Sequence, residues 1–199
     1  GHAALLAISA VIHTPDMNEL GQMGAGLSHW ETGRFHLHSV NPPLLRMISV
    51  VPVLVCTHMS AEDRDYPPHS GTEYQAGYVF VLHHGWQALT SFTLARRASI
   101  PFSLLGTYVC YRWANELYGV PCGLLPAALW GFAPLVLACG ATIMPDVGTA
   151  SFGVAAGYAF WRWLRDPGWD NTHVAGVALG LAELTRTLWL VLYVVWPLV

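Results

Sequence analysis

The chain has 199 residues, of which 54% are hydrophobic and only 11% charged, with a mean hydropathy of +0.42. A soluble domain carries about 25% charged residues, so this composition excludes a disordered chain, a nucleic-acid-binding chain and most soluble enzymes, and it points to a multi-span membrane protein. The net charge of −3 is too small to imply an acidic or basic partner, all nine basic residues are arginines, and there are ten histidines and nine tryptophans.

A spanning helix needs about 20 mostly apolar residues to cross roughly 30 Å of hydrocarbon. Residues 1–12, GHAALLAISAVI, are apolar but short and lack a basic leader, so they read as the C-terminal half of a first span. Residues 13–97 hold eight of the ten histidines, six prolines and seven of the twelve carboxylates, yet apolar runs recur there: LLRMISVVPVLV and AGYVFVLHHGWQALTSF. The polar load of the second run (Gln75, His83, His84, Gln87, Thr90, Ser91) predicts a helix lying at the membrane interface, and the loop as a whole is expected to hold interfacial helices with no β-sheet.

Further spans are expected at 98–118, bounded by Arg96, Arg97, Arg112 and Glu116; at 121–140, inside a charge-free stretch; at 146–165, opened by Asp146; and at 174–197, where Glu183 and Arg186 share a helix face and are expected to pair. The closing VVWPLV is still apolar, so this end also reads as cut. The fold class is therefore all-α: a multi-span transmembrane helical bundle with a long external loop carrying interfacial helices. Arg112, Arg162 and Arg165 favour a cytoplasmic side for the ends of the second and fourth spans, which puts the 13–97 loop and the turn at Asp146 outside together.

Two outward-facing places concentrate polar groups. HTPDMNELGQMGAGLSHWETGRF follows the first span, with Asp16 and Glu19 at i and i+3 in a helix-capping pattern. IMPDVG opens the fourth, where Asp146 is the sole charge between Glu116 and Arg162. A carboxylate there is costly unless solvated, paired or used; it serves as a helix cap, as a functional group, or as both. NPPLLRM at 41–47 reads as a rigid turn entering an apolar helix. The four cysteines form no C-x-x-C pair, which argues against a zinc site; Cys110, Cys122 and Cys139 are expected as buried free thiols. His36 and His38, and the adjacent His83 and His84, are read as hydrogen-bonding groups, and no metal site is assigned.

The order of an acidic pair after the first span, then AGLSHWETGRF, NPPLLRM, LARR, PDVGTASF and LGLAELTR resembles the N-terminal half of GT-C membrane glycosyltransferases. It is most similar to the bacterial branch related to protein mannosyltransferases and aminoarabinose transferases. The resemblance covers essentially all of residues 1–199. It implies an enzyme of the bacterial plasma membrane, with the 13–97 loop on the outer face. Such an enzyme moves a sugar from a polyprenyl-phosphate donor to an acceptor glycan, lipid or protein, among membrane lipids and without nucleic acid.

The resemblance places Asn18-Glu19 where the family has an Asp-Glu pair, Asn41 before the two prolines, Asp146 as the second carboxylate, and Arg186 where a later span usually carries Lys. Glycosyl transfer needs a carboxylate near the acceptor hydroxyl. It also needs Arg or a divalent cation for the leaving phosphate. Glu19 is the expected base, because the amide of Asn18 cannot accept a proton, and Asp146 the expected orienting carboxylate. Asn18, Arg34, Asn41, Arg96 and Arg97 are the expected substrate-binding residues. Competing classes are an inactive relative that binds glycan or lipid, and a membrane transporter, which calls for an inverted repeat that this sequence lacks.

Overall fold

The structure, a computed structural model, describes residues 1–57, 72–120 and 122–198. The prolines and carboxylates at 58–71 and Pro121 lie outside them. The described residues are helical, with no strand among them. In chain order the helices are α1 (His2–Ile12), α2 (Met17–Thr32), α3 (Leu44–Cys56), α4 (Thr72–His84), α5 (Trp86–Tyr118), α6 (Leu124–Gly131), α7 (Pro134–Cys139), α8 (Asp146–Arg165), α9 (Trp169–Glu183) and the short α10 (Leu192–Val195), which is flanked by 3₁₀ turns at Thr187–Val191 and Trp196–Leu198.

α2 starts at the D-x-x-E pattern. Asp16 and Glu19 form a reciprocal capping box, which satisfies two N–H groups that a helix start leaves orphaned. It ends at Gly33, whose φ of 66° places it in the left-handed region that closes a helix. Pro42 and Pro43 fix the turn that feeds α3, as the NPP pattern implies.

α5 is the central post. It packs against α1, α3, α6 and α8, while α2 pairs with α3 and α4, and α8 pairs with α9. One core joins Met23 and Leu27 of α2, Val50 and Val53 of α3, Phe80 of α4, Phe92 of α5, and Ile143 from the turn before α8. A second joins Leu6 and Ala10 of α1 to Ile100 and Ala141.

Several sequence expectations change. No helix among the described residues is long and apolar enough to cross a membrane. The expected 98–118 segment is the C-terminal part of a 33-residue α5 that begins at Trp86. The run 76–92, expected as one helix, is divided at Gly85, where φ is 52°. The 121–140 stretch is broken between α6 and α7, because Pro134 forces Ala133 out of the helical region (φ −59°, ψ 127°). The expected 146–165 helix is found with those bounds. The last stretch stops at Glu183, and Arg186 is extended (φ −161°, ψ 135°). Cys122 is exposed and unbonded, contrary to the buried thiol expected.

Candidate active site

Glu19 sits in the first turn of α2, not in a loop, and its side chain is only 1% exposed. Its Oε1 accepts from Arg96 Nε at 2.9 Å and from the Ile143 N–H at 3.1 Å. Its Oε2 accepts from Arg96 Nη2 and from the Asp16 N–H. The carboxylate thus meets a two-pronged guanidinium and two backbone donors.

Arg96 is equally committed. Nη1 donates to the carbonyls of Ala10 (3.2 Å) and His13 (2.6 Å), and Nη2 to that of Thr14 (3.1 Å). The pair therefore ties the end of α1, the start of α2, the middle of α5 and the turn before α8. A fork-shaped guanidinium is suited to this because it offers five donors in fixed directions.

Asp146 stands differently. It is the first residue of α8, beside the positive end of the helix dipole. Its side chain makes no capping bond. It turns instead to Arg186, with Arg186 Nη1 donating to Asp146 Oδ1 at 3.1 Å. The expected Glu183–Arg186 pair is replaced by this one, because the chain leaves the helix at 184–186. Glu183 Oε2 accepts from Tyr193 at 3.4 Å. The Asp146 and Arg186 side chains are 39% and 37% exposed. Glu19 and Asp146 come close in the fold through Ile143, but the first is sealed and the second open.

Of the expected binding residues, Asn18 is exposed and its amide donates to Asp16 at 3.5 Å. Arg34 and Arg97 are exposed, with no partner for either guanidinium among the described residues. Asn41 is half-buried, and its carbonyl accepts from Arg46.

The polar cluster around Arg46 was not anticipated from the sequence. Arg46 is 2% exposed, and its Nη1 donates to the His38 carbonyl at 3.2 Å while Nε has no partner. Burial lowers its guanidinium to about 10. His38 has a strained φ of 53°, and its ring lies 2.9 Å from the Gln22 amide and 3.4 Å from Glu73. Burial and Arg46 push His38 below the usual histidine range. The signal that could have found this cluster is the lone arginine inside the apolar run LLRMISVVPVLV, where an unpaired charge is as costly as at Asp146.

A cavity of about 200 Å³ opens beside this cluster, lined among others by His29, Phe35, His38, Asn41, Arg46 and Thr187. Thr187 follows Arg186 directly. The Leu44 N–H donates to the Leu184 carbonyl at 3.3 Å, which fixes the NPP turn against the residues leading to Arg186. Asp146, Arg186 and the cavity thus belong to one neighbourhood, assembled from α2, α3, α8 and the segment after α9.

No curated protein and no solved structure matches the chain. Residues 88–197 match the model of the dolichyl-phosphate-mannose-protein mannosyltransferase family. The matched stretch runs from α5 to the final turns and includes Arg96, Arg97, Asp146 and Arg186. With more than half of its length matched, the chain belongs to the dolichyl-phosphate-mannose-protein mannosyltransferase family, glycosyltransferases of the GT-C type.

Proposed function

We propose that the chain is the catalytic face of an integral-membrane glycosyltransferase that moves a sugar from a polyprenyl-phosphate donor to an acceptor glycan, lipid or protein on the outer side of the plasma membrane. The observation that carries this reading is the Asp146–Arg186 pair: residues 40 positions apart meet at 3.1 Å, remain partly open and lie inside the matched region.

Chemically, the acceptor hydroxyl attacks the anomeric carbon, its proton passes to a carboxylate, and the bond to the lipid phosphate breaks. Asp146 is the carboxylate placed for this, with Arg186 aiming it. This exchanges the roles expected from the resemblance. The oxygens of Glu19 are taken by Arg96 and two N–H groups, so Glu19 serves as a positioning residue that holds the turn before Asp146. The exposed Arg34 and Arg97 attract the anionic donor, and the exposed Asn18 is left as a polar contact for it.

The membrane bundle belongs to the same proposal. Large apolar side chains are exposed along α1 (Leu5, Ile8, Ile12), along α6 and α7 (Leu125, Leu129, Leu135) and on the last turns (Leu188, Val194). In α5, Arg97 and Arg112 stand 15 positions apart, about 22 Å at 1.5 Å per residue. Their stems can snorkel toward the two interfaces.

The test is transfer from polyprenyl-phosphate mannose by the purified protein in proteoliposomes. Asp146→Asn should cut turnover at least ~100-fold, the usual scale of a lost acid–base group, and leave the protein folded. Wild-type turnover in that variant refutes the assignment.

A further inference from the structure

α8 carries Asp146 at its first residue and a second cavity at its other end. This cavity, of about 270 Å³, is lined by Glu116 of α5, by Trp161, Arg162 and Arg165 of α8, and by Asp166 and Asn171 at the turn into α9. The turn is held firmly: Asn171 Nδ2 donates to the Asp166 carbonyl at 2.8 Å, and the Trp163 indole N–H to Thr172 Oγ1 at 2.9 Å. The proposed transfer chemistry uses none of these residues.

Two charges of each sign line this cavity without pairing with one another. Arg165 Cζ stands 4.9 Å from the Trp161 ring centroid, and Arg162 Cζ 5.9 Å from that of Tyr158. Neither guanidinium has a hydrogen bond or ion pair among the described residues. A guanidinium resting on a ring keeps its N–H donors available to an anion. Glu116 spends Oε1 on Arg112 and Tyr158, and its Oε2 has no partner among the described residues. Asp166 Oδ2 accepts from Asn171 at 3.4 Å, and its Oδ1 has no partner among them either.

A simple anion gains from the two arginines but is repelled by the two carboxylates, and a simple cation meets the reverse. A group that carries both charges a few atoms apart satisfies both sets. A primary ammonium offers three N–H donors to a carboxylate, whereas a quaternary ammonium offers none. A phosphodiester bearing an aminoethyl arm has this form. The surroundings favour a lipid as its source. Leu117, Tyr118 and Leu164, next to lining residues in the chain, are exposed. Trp113, Tyr158 and Trp161 cluster there with ring centroids 6.0–6.2 Å apart, and such rings gather at the polar boundary of a bilayer.

We propose that this cavity seats the headgroup of a phosphatidylethanolamine. The phosphodiester oxygens accept from Arg162 and Arg165, the ammonium donates to Asp166 and Glu116, and the acyl chains lie along the exposed apolar side chains. The lipid ties the end of α5 to the turn between α8 and α9. The inference rests on the membrane reading of the chain and is independent of the transfer step.

Native mass spectrometry of the protein in uncharged detergent, titrated with phosphatidylethanolamine, phosphatidylcholine and phosphatidylglycerol of the same acyl chains, tests it. Phosphatidylethanolamine should bind at least ~10-fold more tightly than either of the others, the scale of one charge-assisted hydrogen bond. Asp166→Asn should remove that preference and leave the binding of phosphatidylglycerol no weaker. The double variant Arg162→Gln/Arg165→Gln should weaken phosphatidylethanolamine and phosphatidylglycerol alike. All three positions are exposed, so the lipid-free melting temperature should hold. Equal binding of the three lipids by the wild-type protein overturns the proposal without recourse to any variant, and so does an undiminished preference in Asp166→Asn. Displacement of the lipid by an equal concentration of glycerophosphoethanolamine assigns the site to a soluble phosphoamine and overturns the lipid. Transfer from polyprenyl-phosphate mannose without this preference sinks this inference alone. The preference without transfer upholds it and counts against the enzyme reading.

Discussion

Glu19 and Arg96 show how one ion pair can organise several backbone ends. Both are almost fully buried, so each depends on the other. Removing one partner of such a pair leaves an uncompensated charge and typically costs ~3–5 kcal/mol. Glu19→Gln and Arg96→Met should each lower the melting temperature in detergent sharply, and the double variant should lose less than the sum of the two. Strict additivity would show that the two side chains do not act together. His29 adds a pH dependence. Burial is the main cause of its lowering to about 4, and the Arg46, His36 and His38 charges act in the same direction. Between pH 6.5 and about 4 the unfolded chain binds a proton that the folded chain refuses. Stability is therefore full above pH 6.5 and falls as the pH drops toward 4, by up to ~3 kcal/mol. Melting curves from pH 7 to 4 should show a smaller acid loss for His29→Gln than for wild type; parallel curves would contradict this.

The contact between α2 and α4 depends on small residues. A Cβ placed on Gly77 would sit 2.1 Å from the Leu20 carbonyl oxygen, and one on Gly24 would meet the Gly77 nitrogen at 2.7 Å. These are backbone atoms, which cannot swing aside as a flexible side chain can. Gly77→Ala must therefore separate the helices, and overpacking of this kind costs ~1–3 kcal/mol. Because α2 carries Glu19, Gln22 and His29, the same substitution should also disturb the cavity. The prediction is a lower melting temperature together with reduced transfer from polyprenyl-phosphate mannose. An unchanged melting temperature means the two helices are not packed this closely. At the other contacts glycine receives tryptophan: Trp130 lies over Gly106, and Trp189 over Gly153. The Trp189 indole N–H also donates to the Thr149 carbonyl at 3.2 Å, which pins the final turns onto α8.

At the scale of the molecule, the polar groups separate into two ends. One end holds the Glu19–Arg96 pair, Asp146–Arg186 and the Arg46 cluster. The other holds Arg112, Glu116, Tyr158 and Arg162: Arg112 Nη2 donates to Glu116 Oε1 at 3.1 Å, the Tyr158 hydroxyl donates to the same oxygen, and Arg162 lies 5.9 Å from the Tyr158 ring centroid. Under the proposed topology these ends face opposite sides of the membrane. Two native thiols report on it, because Cys56 and Cys122 are both exposed and unbonded. Under that topology Cys56, the last residue of α3, lies on the outer side, and Cys122, which follows α5, on the inner side. A membrane-impermeant maleimide added to sealed cells should label Cys56 and spare Cys122 until the membrane is opened. Labelling of both from outside refutes this topology.

The helical class, the NPP turn into α3, the D-x-x-E cap of α2 and the bounds of α8 were readable in the sequence, because each follows from local chemistry: hydrophobic runs, proline geometry and a side chain reaching its own backbone. The start of α8 at Asp146 was also legible, since a lone carboxylate after an apolar stretch is favoured at a helix N-terminus. The remaining features depended on partners distant in the chain. Whether Glu19 was free or sealed turned on Arg96, 77 positions away, and the partner of Asp146 turned on a break after Glu183 that releases Arg186 from its helix. The run at 121–140 and the break at Gly85 show the same limit at the level of elements: composition measures how apolar a segment is, but one proline or one left-handed residue decides whether it continues as a helix. The cavity at His29 and Arg46 exists only because α2, α3 and the turn after α9 meet there. Local sequence settles the backbone preferences and the types of group available, whereas only the tertiary structure decides which buried charge is satisfied and which is left facing an opening.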